Sequence, residues 1–147
     1  MLEEFQKLFI RDLEKVKAEL LSYKNEKNIW IVTGDIKNSA GNLCLHIVGN
    51  LNHFIGAVIL ETEYIRDREA EFNDRNIPLK DLISQVDNTI KLFKQSFPEI
   101  EPGILNNNFP VQVFGYEMTT AYFLVHLIGH LNYHLGQINY HRRLIDF

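Results

Sequence analysis

Leu2, Phe5, Phe9, Leu13, Val16 and Leu20 follow one another at steps of three or four residues, with Glu4, Lys7, Asp12, Lys15 and Glu19 between them. That period matches an α-helix with one apolar face, and it predicts an amphipathic first helix. The pattern breaks over residues 25–38. Lys24 to Asn28 are polar, Ile29 to Val32 suit a brief extended piece around Trp30, and Gly34, Asp35 and Asn38 read as turn. Ser39 is a natural N-cap for a second helix. This helix is predicted over residues 40–65, with Leu43, Ile47, Leu51, Phe54 and Val58 on one stripe and His46, Asn50 and His53 on another. Its glycines, Gly41, Gly49 and Gly56, lower helix propensity and allow a neighbour to come close.

Residues 66–77 are densely charged and read as a solvated connection. Pro78 suits the start of a third helix, whose apolar positions are Leu79, Leu82, Val86, Ile90, Phe93 and Phe97. Pro98 stops it. Residues 98–115 predict a long ordered loop or a short strand pair. A fourth helix begins near Glu117 or Met118 and runs to about Leu144. It is apolar almost all round, the pattern of the most buried helix. No repeat or internal boundary interrupts the chain, so residues 1–147 are expected to form a single all-α domain, a four-helix bundle. The connection between the second and third helices spans roughly 35 Å when extended, about the length of a bundle helix. Those two helices can therefore run parallel, joined by a crossover.

Composition narrows the partners. The net charge of −4, with no Lys/Arg block, disfavours nucleic acid and anionic lipid. No run of about 18 uncharged apolar residues marks a membrane span, and the segment over 118–141 comes nearest. Cys44 is the only cysteine, which rules out an intrachain disulfide and suits a reducing, cytoplasmic setting.

Four of the six histidines, His126, His130, His134 and His141, fall on the fourth helix and share one stripe with Gln137. His130 and His134 stand at i and i+4, so both can face one metal ion. A third ligand must come from another helix, and His46 stands mid-helix on the second. Three imidazoles leave a fourth position open, the arrangement of a catalytic metal. The alternative is that these are hydrogen-bonded core histidines. No Glu precedes a histidine by three residues and no His-Glu-x-x-His occurs, so neither a di-iron bundle nor a zincin is indicated. Cys44 lies about 200° round the helix from His46 and faces away from it.

The segments NSAGNLCLHIVGNLNHFIG at 38–56 and HLIGHLNYHLGQI at 126–138 resemble the DinB-like superfamily. An Asn-Ser-x-Gly-Asn-Leu run before the first histidine, and RDREAEF at 66–72, are closest to an uncharacterised DinB-related branch. The resemblance implies a four-helix bundle of up-down-down-up topology and a three-histidine metal site at His46, His130 and His134. Characterised relatives include bacillithiol transferases and mycothiol-dependent maleylpyruvate isomerases, in which the metal lowers the pKa of a bound thiol or water.

The expected function is therefore a divalent-metal-binding protein acting on an unknown small molecule, as a hydrolase or a low-molecular-weight-thiol transferase. Its ion would be zinc, nickel or iron, with copper also suited to imidazole. The alternative is a non-enzymatic metal-binding or stress-related bundle. A homodimer is expected, because the fourth helix is apolar beyond the needs of one core face. Antiparallel second and fourth helices would bring His53 near His126, either as a proton relay beside the metal or as two ordinary hydrogen-bonded histidines. Asn42, Asn50 and Gln137 either orient the imidazoles or substrate, or make ordinary interhelical hydrogen bonds. Tyr133 and Tyr140 are expected to pack, and His141 and Arg142 to meet the helix C-terminus. The fourth helix has no carboxylate between Glu117 and Asp146, so any acidic partner for a ligand must come from another element.

Overall fold

The computed structural model describes all 147 residues. Five α-helices carry the fold: α1 (Leu2–Leu21), α2 (Ala40–Leu51), α3 (Arg68–Asn73), α4 (Leu79–Ser96) and α5 (Thr120–Ile145). There are no strands. Four helices are long and form an all-α bundle, as the periodicity predicts.

The side-chain pairs give each helix its direction. Asp12 accepts a hydrogen bond from Asn132 at 2.7 Å, and Glu19 accepts one from Asn139 at 2.7 Å, so α1 and α5 run parallel. Gln6 reaches the Phe93 carbonyl while Lys17 reaches Asp87, so α4 opposes α1. Phe54 meets Phe123, whereas the earlier His46 meets the later His130, so α2 opposes α5. The order is up-down-down-up. Parallel α2 and α4 require the long crossover that the sequence provides.

Capping fixes several boundaries. Ser39 Oγ accepts from the Asn42 N–H at 3.1 Å, closing the first turn of α2. Pro78 offers no side-chain cap to α4, and Glu26 supplies one from a distance by accepting from the Leu79 N–H at 2.6 Å. The Asp146 carboxylate accepts from the N–H groups of Lys24 and Asn25 and from Asn28 Nδ2, tying the end of α5 to the end of α1.

One cluster of 30 buried apolar residues fills the interior. Phe9, Phe93 and Phe97 meet edge to face or tilted at one end, with centroids 5.3–6.1 Å apart. At the other end Phe109 stacks on Phe123 at 4.1 Å, and Phe54 meets Phe123 edge to face at 5.0 Å.

Several elements depart from the sequence pattern. The second helix stops short of residue 65. After Leu51 it widens into π-helical turns over Asn52–Ile59, and Glu61 then adopts a positive φ of 54° that reverses the chain. Residues 40–51 are all buried, and α5 is not the most buried helix. α5 packs Phe123, Leu127, Leu131 and Ile138 inward but leaves Tyr122, Val125, Tyr133, Tyr140 and Leu144 more than half exposed, so Tyr133 and Tyr140 are not packing residues. The segment apolar enough by length and composition to cross a bilayer is Ala40–Ile59, not 118–141, and most of it is enclosed by the other helices. The piece around Trp30 is a 3₁₀ helix (Glu26–Trp30), because Asn25 accepts from the Lys27 N–H and closes the turn. No strand pair forms over 98–115. Pro102–Asn106 is a 3₁₀ helix, and only an isolated bridge joins Asn108 and Thr119.

Gly41 is needed for the Trp30 contact. A Cβ there would lie 2.6 Å from the indole ring, inside van der Waals distance. Gly41→Ala is expected to lower the unfolding free energy by about 1–3 kcal/mol, measured by denaturant titration.

Candidate metal centre

His46 projects from the middle of α2, and His130 and His134 project from one face of α5. Because the two helices are antiparallel neighbours, the three rings meet. His46 Nε2 and His134 Nε2 each lie 3.1 Å from His130 Nε2. The three potential ligand nitrogens all fall within 4.8 Å of one another. His46 is buried and the other two are half-buried.

The proton count at this point decides what the cluster can do. The Nδ1–H of His46 donates to Glu71 Oε1 at 3.0 Å. The Nδ1–H of His134 donates to Gln137 Oε1 at 2.7 Å. Each neutral imidazole carries one N–H, so both Nε2 atoms hold bare lone pairs. Both aim at His130 Nε2, whose single hydrogen can satisfy only one. Burial and the neighbouring imidazoles push the His130 pKa down to about 3, so a second proton on that ring is disfavoured. Burial also lowers the His134 pKa, against the hydrogen bond that ring donates to Gln137. Three lone pairs at one point suit a cation. Tetrahedral nitrogen ligands at 2.0–2.1 Å would stand about 3.3 Å apart, close to the 3.1 Å from His130 to each of the other two.

Glu71 sits on the short α3, within the charged run that reads as solvated surface. It is instead buried, at 5% exposure. Arg66 grips it with two hydrogen bonds of 2.8 Å while His46 takes a third. Burial alone would raise the Glu71 pKa, but the hydrogen bonds from Arg66 and His46 and the Arg66 charge outweigh it and hold the carboxylate ionised. Arg66 Nη2 also approaches His46 Nδ1, at 3.4 Å, but both groups are donors and the carboxylate is the closer partner. Glu71 therefore supplies the acidic partner that α5 lacks. A carboxylate behind a ligating imidazole fixes its tautomer and raises its basicity.

A six-residue helix is not stable alone. Asp67 caps α3 through the Ala70 N–H. Asn42 Nδ2 donates to the carbonyls of Glu71 and Asp74, at 3.0 and 2.9 Å. Asn42 thus holds the helix that carries Glu71 and touches no imidazole. Gly49 makes room: a Cβ there would overlap the carboxylate, 2.5 Å from Glu71 Cδ. These parts were hidden in the sequence. The lack of an acid on α5 and the glycine one turn beyond His46 were the available signals.

The remaining candidates fall elsewhere. Asn50 is 7% exposed, and its Oδ1 has no hydrogen-bond partner, an orphaned acceptor one turn from His46. His53 packs on Phe54, and His126 on Phe114 and Phe123. No hydrogen bond or ring contact joins His53 to His126, and the His126 ring stands 6.1 Å from that of His130. Burial lowers the pKa values of His53 and His126. His141 does not meet the helix terminus. It is buried, accepts from the Tyr23 hydroxyl at 2.6 Å and donates to the Ile31 carbonyl at 2.8 Å. Arg142 pairs with Glu19. Cys44 is fully buried, and its thiol pKa is pushed up to about 12, so it offers no thiolate ligand.

An antiparallel pair of bundle helices bearing a three-imidazole cluster backed by a carboxylate is an arrangement that could hold a metal ion. The DinB family model matches residues 13–144, nearly the whole chain, and the protein belongs to that family. A search of curated proteins found no match.

Two outcomes are expected. Glu71→Gln keeps the volume but loses the charge behind His46, so divalent-metal affinity should fall by about 10–100-fold, read by competition with a chromophoric chelator. His130 has a folded pKa of about 3 against an unfolded value near 6.5. The unfolded chain therefore binds the extra proton first as pH falls. Stability of the metal-free protein is full above about pH 6.5 and is lost progressively toward pH 3. His130→Gln should flatten this slope in unfolding titrations between pH 6.5 and 4.5.

Proposed function

We propose that His46, His130 and His134 hold one divalent ion with a position left open, and that the protein acts there on a small molecule, as a hydrolase or a low-molecular-weight-thiol transferase. The carrying observation is the meeting of three imidazoles, with the Nε2 atoms of His46 and His134 each 3.1 Å from that of His130. Zinc, nickel and iron all suit such a set. A bound ion would supply Lewis acidity, lowering the pKa of a water or thiol that shares it. The chain's own groups prepare the site. Glu71 sets the tautomer of His46 and supplies one negative charge, Arg66 keeps that carboxylate ionised and in place, and Gln137 sets the tautomer of His134.

Family membership and the three-imidazole geometry support this reading. The free, buried Cys44 fits a reducing cytoplasmic setting. The net charge of −4 argues against nucleic acid. A homodimer is supported by the exposed face of α5. Tyr122, Val125 and Tyr133 lie along it, and a Cβ built on Gly129 between them meets no atom within 4 Å. An apolar helix face of this kind suits a second copy of itself.

Elemental analysis of the purified protein is expected to find about one divalent ion per chain, and His46→Ala or His130→Ala should each abolish it. Folded wild-type protein that takes up no ion contradicts the proposal. Light scattering should report two chains for the wild type and one for Val125→Glu.

A further inference from the structure

A half-open cavity of about 410 Å³ lies between the 35–38 segment and the last turns of α5. Leu43 and Gln137 line it, each three residues from a candidate ligand, His46 and His134. The cavity thus lies one turn beyond the histidine cluster along both antiparallel helices. At the other end of the stripe, His126 is packed against Phe114 and Phe123, with centroids 4.7 and 5.6 Å away. Room for a molecule extending from the imidazoles therefore lies on the Gln137 side.

The lining has a definite character. Ile36, Leu43, Tyr140 and Leu144 give apolar surface. Asp35 and Lys37 are both present, so the wall carries no net charge. Both nitrogens of His141 are taken by Tyr23 and the Ile31 carbonyl, so it adds no free donor. Gln137 differs: its Oε1 accepts from His134, while its Nε2 makes no hydrogen bond within the protein. At the junction between the imidazoles and the cavity there is one unused donor.

We propose that this cavity is a tail subsite, and that the molecule taken up is a small amphiphile. Its oxygen-bearing head reaches the three imidazoles' ion and accepts from Gln137 Nε2, and its uncharged acyl or aryl tail lies between Ile36 and Leu144. This rests on the metal-holding reading above. The apolar surface of Ile36, Leu43 and Leu144, with the free Gln137 Nε2 at the metal end, suits such a molecule.

Two hydroxamates separate the parts. Acetohydroxamate has a metal-binding head and almost no tail, while octanohydroxamate adds six methylenes to the same head. Calorimetric titration of zinc-loaded protein should show octanohydroxamate binding at least about tenfold more tightly. Ile36→Trp and Leu144→Trp, each at a partly or fully accessible position, fill the cavity. Each should bring the two affinities within about twofold while leaving acetohydroxamate unchanged. Equal affinities in the wild type, or a tail gain that survives both tryptophans, would overturn the subsite and leave the metal reading intact. Protein that loads no zinc would overturn both.

Discussion

Three imidazole nitrogens converge without the hydrogens needed to satisfy one another, and this constraint organises the molecule. Two of the three tautomers are set from behind, by Glu71 on His46 and by Gln137 on His134, so their bare nitrogens are held toward His130. Lone pairs brought to 3.1 Å are unfavourable unless a proton or cation lies between them, and burial disfavours the proton at His130. The fold pays for that arrangement elsewhere, through a continuous apolar core and capped helices.

Topology makes the convergence possible. Antiparallel α2 and α5 place His46 opposite the i, i+4 pair. Parallel α2 and α4 demand a long crossover, and that crossover delivers Arg66 and Glu71 to the back of His46. Gly49 leaves space for the carboxylate, and Asn42 fastens the short helix that bears it. Removing one partner of a buried ion pair is commonly worth about 3–5 kcal/mol, so Arg66 and Glu71 stand or fall together.

Most of the bundle was legible in the chain. The apolar period fixed α1 and α4, Ser39 marked the start of α2, and the length of residues 66–77 pointed to parallel neighbours. The i, i+4 spacing exposed His130 and His134. What could not be read has physical causes. Charge density in residues 66–77 suggested solvent, because a one-dimensional pattern does not show that Arg66 and Glu71 neutralise one another and become buriable. The π-helical turns after Leu51 broke the 3.6-residue period, and no spacing pattern in the sequence announces such a change. Apolar composition on α5 suggested full burial, yet Tyr122, Tyr133 and Tyr140 form an outward face.

The most direct measurement is the long-range ¹H–¹⁵N NMR spectrum of the imidazoles, before and after one equivalent of zinc. Before zinc, His46 and His134 should both carry their hydrogen on Nδ1. With zinc, the Nε2 resonances of residues 46, 130 and 134 should shift together while those two Nδ1 hydrogens stay in place. Nε2–H tautomers at 46 and 134 without metal, or a zinc response confined to one ring, would contradict the account.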